Sequence, residues 1–309
     1  MKCVVIGGSG FIGSHVVQAL QRAGHDVTNV DLAPSQFGDR QLQVDLRSSE
    51  ALTPILKQHG PDAVYHIAAV ANARKALEQP VEAVDINIKG TAAVLQAARN
   101  AEVKRVFLAS TVWVYNAVNQ HHHAGVITED EPILMNGGGH VYTTSKIASE
   151  LLCHDFNRLY GLPFTILRYG IPYGPRMWPG LALRTFLDHG FSKKPITIFG
   201  DGSAVRQFVY VEDLAQAHVL ALKDAAAGQT YNLEGDRSVT IRELAETVAR
   251  FVKGVKIEYV IDPSRRGEMK VSRPISNAKA KKELGWHPHV TLEDGVKRVV
   301  DWYRKEHGH

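Results

Sequence analysis

Cysteine is nearly absent from this chain: Cys3 and Cys153 are the only two in 309 residues. Two thiols make no disulfide framework. Cys3 falls in an apolar run that reads as the first strand and Cys153 in a helical pattern, so both are expected as packing residues in a reducing cytoplasm. Long apolar runs are missing as well. No stretch approaches the roughly 18 uninterrupted apolar residues of a membrane span. The opening MKCVVIGGSGFIG meets glycine too soon for a signal peptide, so a cytoplasmic location is expected. Neither sign of charge dominates, with 36 Lys and Arg against 32 Asp and Glu for a net charge of +4. That small excess suits an anionic small molecule, and without a long basic run nucleic acid is not an expected partner. Metal-ligand spacing is lacking too. His121–His123 are adjacent in a loop and do not readily converge on one ion, and no cysteine or acidic pattern accompanies them, so no metal is expected.

What is present is ordinary globular usage, 44% hydrophobic and 22% charged, which argues against disorder. Over the first 110 residues β-rich runs alternate with helical patterns. Lys2–Ile6, Asp26–Val30, Gln41–Val44, Ala63–His66 and Arg105–Ala109 read as strands, and Ser14–Ala23, Glu50–His59 and Asn87–Asn100 as helices. The alternation predicts an α/β fold, a Rossmann-type doubly wound parallel sheet whose strands are apolar on both faces. Residues Asn116–His140, polar and rich in Gly near their end, read as a long surface loop. A helix is expected over Tyr142–Tyr160, where Ile147, Leu151, Leu152, Phe156 and Leu159 recur at near-helical spacing, and a strand over Phe164–Arg168. Beyond Tyr169 the elements shorten. Thr240 with Glu243 and Thr291 with Asp294 mark two helix starts. The expected organisation is a nucleotide-binding domain over residues 1–168 and a smaller C-terminal α/β substrate-binding cap over residues 169–309, some of whose segments return to the sheet.

Gly7, Gly10 and Gly13 form G-x-x-G-x-x-G directly after the first strand and at the opening of a helix. Glycines there allow a tight turn, admit a pyrophosphate against the backbone and keep helix and sheet close. Asp31 closes the second strand 18 residues beyond Gly13. A carboxylate at that place accepts hydrogen bonds from the adenine ribose hydroxyls and repels a 2′-phosphate, so NAD is expected rather than NADP. Tyr142-x-x-x-Lys146 at a helix start puts a phenol and an ammonium on one face, one turn apart. An ammonium near a phenol lowers its pKa from about 10 toward neutrality, which makes Tyr142 a candidate general base and acid.

With these residues the chain resembles an extended short-chain dehydrogenase/reductase of the NAD-dependent epimerase/dehydratase family, most closely the nucleotide-sugar 4-epimerases of the UDP-glucose 4-epimerase type. The likeness spans nearly the whole length. It includes Asp45-Leu46, His66-Ile-Ala-Ala69, Asn87-Ile-Lys-Gly-Thr91 and Ser110-Thr111-Val-Trp-Val-Tyr115, with Asn116 where the family has glycine. The resemblance implies a catalytic set of Thr111, Tyr142 and Lys146. It implies NAD contacts at Gly7, Gly10, Phe11, Ile12, Gly13, Asp31, Asp45, Leu46, Ala68, Asn87, Tyr142, Lys146 and Tyr169. By the same likeness Thr111, Tyr142, Arg206, Arg265 and Glu268 bind a nucleotide-diphosphate sugar, with a UDP-sugar favoured. In 4,6-dehydratases of the family an Asp-Glu pair follows the Thr111 position; here Val112 and Trp113 stand there, and neither moves a proton.

Departures from the family pattern sit in the substrate half. Ile171 replaces an asparagine that contacts the substrate, and Gly170 replaces the aromatic before it. Ser272 falls at a position that gates sugar size, where a small residue admits an acetamido sugar. Asp213 is expected to cap the helix after it, and His66 to be a satisfied strand-end histidine. The resulting expectation is an NAD-dependent 4-epimerase acting by transient C4 oxidation and assembling as a homodimer. The alternatives are a nucleotide-sugar reductase or dehydrogenase that consumes its cofactor, and a non-catalytic NAD-sensing regulator.

Overall fold

The computed structural model describes residues 1–35, 40–121, 125–134, 139–261 and 273–308. Twelve strands run in chain order among these residues. They are β1 (Lys2–Ile6), β2 (Asp26–Asp31), β3 (Arg40–Gln43), β4 (Ala63–His66), β5 (Arg105–Thr111), β6 (Phe164–Tyr169), β7 (Ile171–Tyr173), β8 (Ile196–Phe199), β9 (Val205–Tyr210), β10 (Gln229–Leu233), β11 (Ser238–Thr240) and β12 (Ile257–Val260). Seven form one parallel sheet in the order β10-β6-β5-β4-β1-β2-β3. The chain winds outward from β1 to β3, then restarts at β4 on the other side of β1. That reversal opens a crevice at the carboxyl ends of β1 and β4, where ligands of such sheets bind. Strand β10, far along the chain, completes the sheet beside β6.

Both faces of the sheet are covered, as the apolar strands require. Along β1 the side chains alternate. Cys3 and Val5 pack with Leu20, Tyr65, Phe107 and Trp286, while Val4 and Ile6 pack with Leu52, Leu56, Val94 and Leu108 on the opposite face. Both cysteines are buried thiols. A third core joins Leu187, Ile196, Tyr210, Leu244, Val248 and Val299, around the small sheets β11-β9-β7 and β12-β8. No described helix is long and apolar enough to cross a membrane.

Several elements differ from the sequence reading. The helix expected from Asn87 begins at Pro80, a residue preorganised for a first helical turn, and passes through a wide turn at Asp85–Lys89 before Gly90–Asn100. Residues after Thr111 are not simply a surface loop: a tight turn over Val112–Tyr115 leads into a helix at Asn116–His121, and Ile127 is fully buried and bridges Ile275. The apolar Val118 and Ile127 hold this segment to the core, a signal too sparse for periodicity to register. Asp213 does not cap its helix, which starts after Tyr210; its carboxylate accepts from the Val290 backbone nitrogen at 2.9 Å and so ties down the entry to the last helix. Thr240 and Thr291 do cap theirs.

Candidate active site

After β1 the chain turns at Gly7, whose φ of +96° lies in the left-handed region open to glycine. A Cβ on Gly7 would stand 2.5 Å from the Ala68 backbone nitrogen, and one on Gly13 would stand 2.0 Å from the Gly7 carbonyl oxygen. These two glycines let β1, the loop after β4 and the helix Phe11–Arg22 close on one another. Gly10 begins that helix with no side-chain cap, which leaves the first-turn N–H groups available at its positive end. They border a cavity of about 450 Å³ lined by Gly7, Gly10, Phe11, Ile12, Gly13, Asp31, Leu46 and Ala68. Asp31 ends β2 at its rim and accepts from the Ser9 and Ala33 backbone nitrogens at 2.9 and 3.0 Å. A backbone cradle that a Cβ would fill, an open helix N-terminus and a carboxylate beyond it suit the pyrophosphate and adenine ribose of a dinucleotide.

The cradle gives a graded expectation. Gly13→Ala forces backbone apart and should weaken NAD binding at least roughly 100-fold, about 2.7 kcal/mol, in titration calorimetry. Gly10→Ala, whose Cβ meets nothing nearer than the Gly7 oxygen at 3.4 Å, should bind NAD within a few-fold of the parent. Equal losses for the two would contradict the cradle.

Other residues expected at the cofactor have side-chain partners of their own in this fold. Asp45 pairs with Arg47, whose Nε donates to both carboxylate oxygens at 3.0 Å, and that pairing holds the carboxyl below its usual range; the cavity wall there is Val44 and Leu46. Asn87 is buried with its amide occupied: Oδ1 accepts from Val70 N at 2.7 Å, and Nδ2 donates to Val70 O and to Ser145 Oγ at 3.2 and 2.9 Å. It clamps the loop after β4 to the helix Val141–Tyr160. Tyr169 turns its hydroxyl to His218 Nε2 at 2.6 Å, within the core.

Tyr142 and Lys146 lie in the first turns of the helix Val141–Tyr160, capped by His140, which accepts from Thr143 N at 3.2 Å. Both are buried. Thr111, at the end of β5, lies beside the Tyr142 hydroxyl and favours its ionised form. Lys146 Nζ donates to the Ala109 carbonyl at 2.8 Å. The lowering of the phenol pKa expected from the sequence is not what this arrangement produces. Burial pushes Tyr142 up to about 12, offset only by the Thr111 hydroxyl, and burial brings Lys146 down to about 8 against the opposing pull of Glu150. Desolvation outweighs the ammonium because the lysine is directed at a carbonyl. The phenol ring clusters with Val70, Ala71 and Ile86, which line the first cavity, and lies 6.0 Å from the rings of Trp113 and His140, which line a second.

That second cavity is also about 450 Å³, and Arg206, Ile171 and Glu234 are among its walls. Arg206 donates to its own neighbour's carbonyl, Val205 O, at 2.8 Å and pairs with no carboxylate among the described residues. Arg265, Glu268 and Ser272 fall within 262–272, and His122 and His123 within 122–124, outside the described residues. Among the described residues no cluster of His, Cys, Asp or Glu is arranged to hold a metal. His66 is half satisfied: Nε2 meets Thr91 Oγ1 at 2.9 Å, whereas the buried Nδ1 has no partner.

Beneath Thr111 runs a buried polar network that sequence reading missed. Glu150 accepts from Ser110 Oγ at 2.5 Å and from Arg168 Nε and Nη2 at 2.9 and 2.6 Å; Arg168 Nη1 donates to the Tyr115 hydroxyl, which donates to Asn232 Oδ1 at 3.0 Å. It ties β5, β6, β10 and the helix Val141–Tyr160 together. The Glu150–Arg168 pair is separated by 18 residues on different elements, so only the one-turn offset of Glu150 from Lys146 hinted at a role. His140 had a fainter signal, its place before the helix of Tyr142.

A profile of the NAD dependent epimerase/dehydratase family matches residues 3–233. The chain is similar to a UDP-glucuronate 4-epimerase of Thermodesulfobacterium geofontis, 31% identical over 98% of this chain and 96% of that protein. It is also similar to dTDP-glucose 4,6-dehydratase 1 of Escherichia coli, 30% identical over 98% and 92%. Among solved structures, UDP-glucose 4-epimerase of Thermotoga maritima, determined with UDP-glucose, superposes with a TM-score of 0.87 at 31% identity, covering 99% of both chains.

Proposed function

The chain belongs to the NAD dependent epimerase/dehydratase family, and from that premise we propose that it is a nucleotide-sugar 4-epimerase acting on a UDP-hexose. One observation carries the choice within the family. Tyr142, beside Thr111 and one turn from Lys146, packs against residues that line both cavities, while the positions after Thr111 are Val112 and Trp113. Elimination of water from C5 and C6 needs a proton donor and acceptor there, and neither side chain is one. The set therefore supports proton movement at a single carbon.

NAD is the cofactor of the family; when bound it supplies a hydride acceptor that returns what it takes, and a positive charge on the oxidised ring. The chain's own residues do the rest. Gly7, Gly10, Gly13 and Asp31 would hold the dinucleotide. Tyr142 takes the proton of the C4 hydroxyl as C4 is oxidised, and gives it back as C4 is reduced from the other face. Thr111 holds that hydroxyl, and Lys146, whose ammonium burial has already made easy to discharge, buffers the charge beside it. Arg206 anchors the diphosphate, a role for a guanidinium fork, while the 4-keto sugar turns about it. Arg265 and Glu268 belong to the same proposed clamp. Residues 1–168 are read as the NAD-binding part and 169–309 as mainly substrate-binding. A homodimer through the helices Gly90–Asn100 and Val141–Tyr160 fits this reading, since Leu151, Leu159 and Tyr160 leave apolar surface exposed on the latter.

Proton NMR tests the proposal. Incubation with UDP-glucose, UDP-glucuronate or UDP-N-acetylglucosamine, with NAD+ and no reductant, is expected to give the anomeric signal of the C4 epimer for at least one. Spectra unchanged for all three would contradict it.

A further inference from the structure

Strands β5, β6 and β10 lie side by side with Thr111, Tyr169 and Leu233 in register at their carboxyl ends. The next residues, Val112, Gly170 and Glu234, therefore follow one another across the sheet; Val112 and Glu234 line the second cavity, and at about 4.8 Å per strand their backbones stand roughly 10 Å apart. Glu234 is only 3% exposed, yet its side chain has little to bind. It accepts from the Gly235 backbone nitrogen, and its Oε2 has no hydrogen-bond partner. Space for the carboxyl exists because residue 170 is glycine: a Cβ there would stand 2.0 Å from Oε2. No cation pairs with Glu234 among the described residues. Arg273, on the same cavity, pairs with Glu131 at 2.8 Å, and Arg206 serves the diphosphate in the reading above. Burial pushes the carboxyl above its ordinary range, and no cation among the described residues opposes the shift. A buried polar atom left unpaired is destabilising, so the arrangement favours a bound group that pairs with it.

We propose that Glu234 is a specificity-determining residue of the substrate cavity, exchanging hydrogen bonds with a hydroxyl of an uncharged sugar and disfavouring sugars that carry a carboxylate. The assignment rests on the nucleotide-sugar reading. A carboxyl accepts from a hydroxyl when ionised and, when protonated, has one O–H to donate as well, so it matches a hydroxyl in either form. A uronate would bring a second carboxyl group to a place with no uncommitted cation among the described residues, and two such groups in one site resist sharing charge. Gly170 and Glu234 act together, one residue making the room that the other fills.

Calorimetry and steady-state kinetics with UDP, UDP-glucose, UDP-N-acetylglucosamine and UDP-glucuronate, on the parent and Glu234→Gln, test this. The parent should favour the better neutral sugar over UDP-glucuronate by at least roughly tenfold in kcat/KM. Glu234→Gln, whose amide donates to a carboxylate without adding charge, should shrink that ratio at least roughly tenfold, mainly through KM, with UDP affinity unchanged and no loss of Tm. Gly170→Ala, whose Cβ takes the carboxyl's place, should shrink the ratio likewise. A parent that prefers the uronate, or a Glu234→Gln ratio equal to the parent's, overturns the assignment alone. Failure of UDP and every UDP-sugar to bind overturns the nucleotide-sugar reading, and the assignment with it.

Discussion

Tyr142→Phe is expected to lower kcat by about 10³-fold, within the range of general acid–base catalysis, while changing the affinity for NAD and nucleotide sugar by no more than a few-fold. The substitution is nearly isosteric. The ring keeps its contacts with Trp113 and His140, and the hydroxyl lost is the one beside Thr111. What disappears is the group proposed to carry the C4 hydroxyl proton. The large effect follows from burial. The Tyr142 side chain is buried, so water has poor access to the position the hydroxyl vacates. Rapid-quench or NMR assays with thermal melts in parallel check this; a kcat loss below roughly tenfold in a folded variant would remove Tyr142 from the chemistry.

Glu150→Ala is expected to cost about 3–5 kcal/mol of stability, a fall in Tm on the order of 5–10 °C for a chain of this size. The side chains of Glu150 and Arg168 are 3% and 6% exposed. Removing the carboxylate leaves a guanidinium buried with only the Tyr115 hydroxyl to bind, and the penalty is that of an uncompensated charge rather than the worth of the pair. Replacing both partners together, by Glu150→Leu with Arg168→Met, should recover most of the loss, since a well-packed apolar pair often matches a buried ionic one. Chemical denaturation of the two single variants and the double variant closes the cycle. Ser110, one residue before Thr111, donates to Glu150, so Glu150→Ala should also depress kcat by misplacing the Thr111 hydroxyl. A Glu150→Ala protein as stable as the parent would contradict this view of the network.

The sheet was legible because its strands are short apolar runs spaced by amphipathic helices, and β1, β4 and the capping threonines fall where the sequence places them. The dinucleotide cradle was legible for a related reason: a glycine required by a close backbone approach leaves a mark at fixed spacing. Contacts made by folding left no such mark. Asn87 and Asp45 match a binding pattern, but their side chains are taken up by Val70, Ser145 and Arg47, partners known only once the elements pack. The Tyr142-Lys146 spacing gives a shared helix face but not the direction of the ammonium, which goes to Ala109. The departure at Gly170 was visible as a missing aromatic. Its partner was not, because nothing along the chain joins residue 170 to Glu234 until β6 and β10 pair.

The central claim is that one hydrogen leaves C4 and returns to C4. The UDP-hexose that turns over, deuterated at C4 and incubated with the enzyme and NAD+, tests it directly. The account predicts that deuterium stays at C4 in both epimers, with no net reduced dinucleotide absorbing at the end. Deuterium found at C6 of a 4-keto-6-deoxy product would make the enzyme a dehydratase, and deuterium carried off in stoichiometric reduced dinucleotide would make it a dehydrogenase; either result contradicts the account.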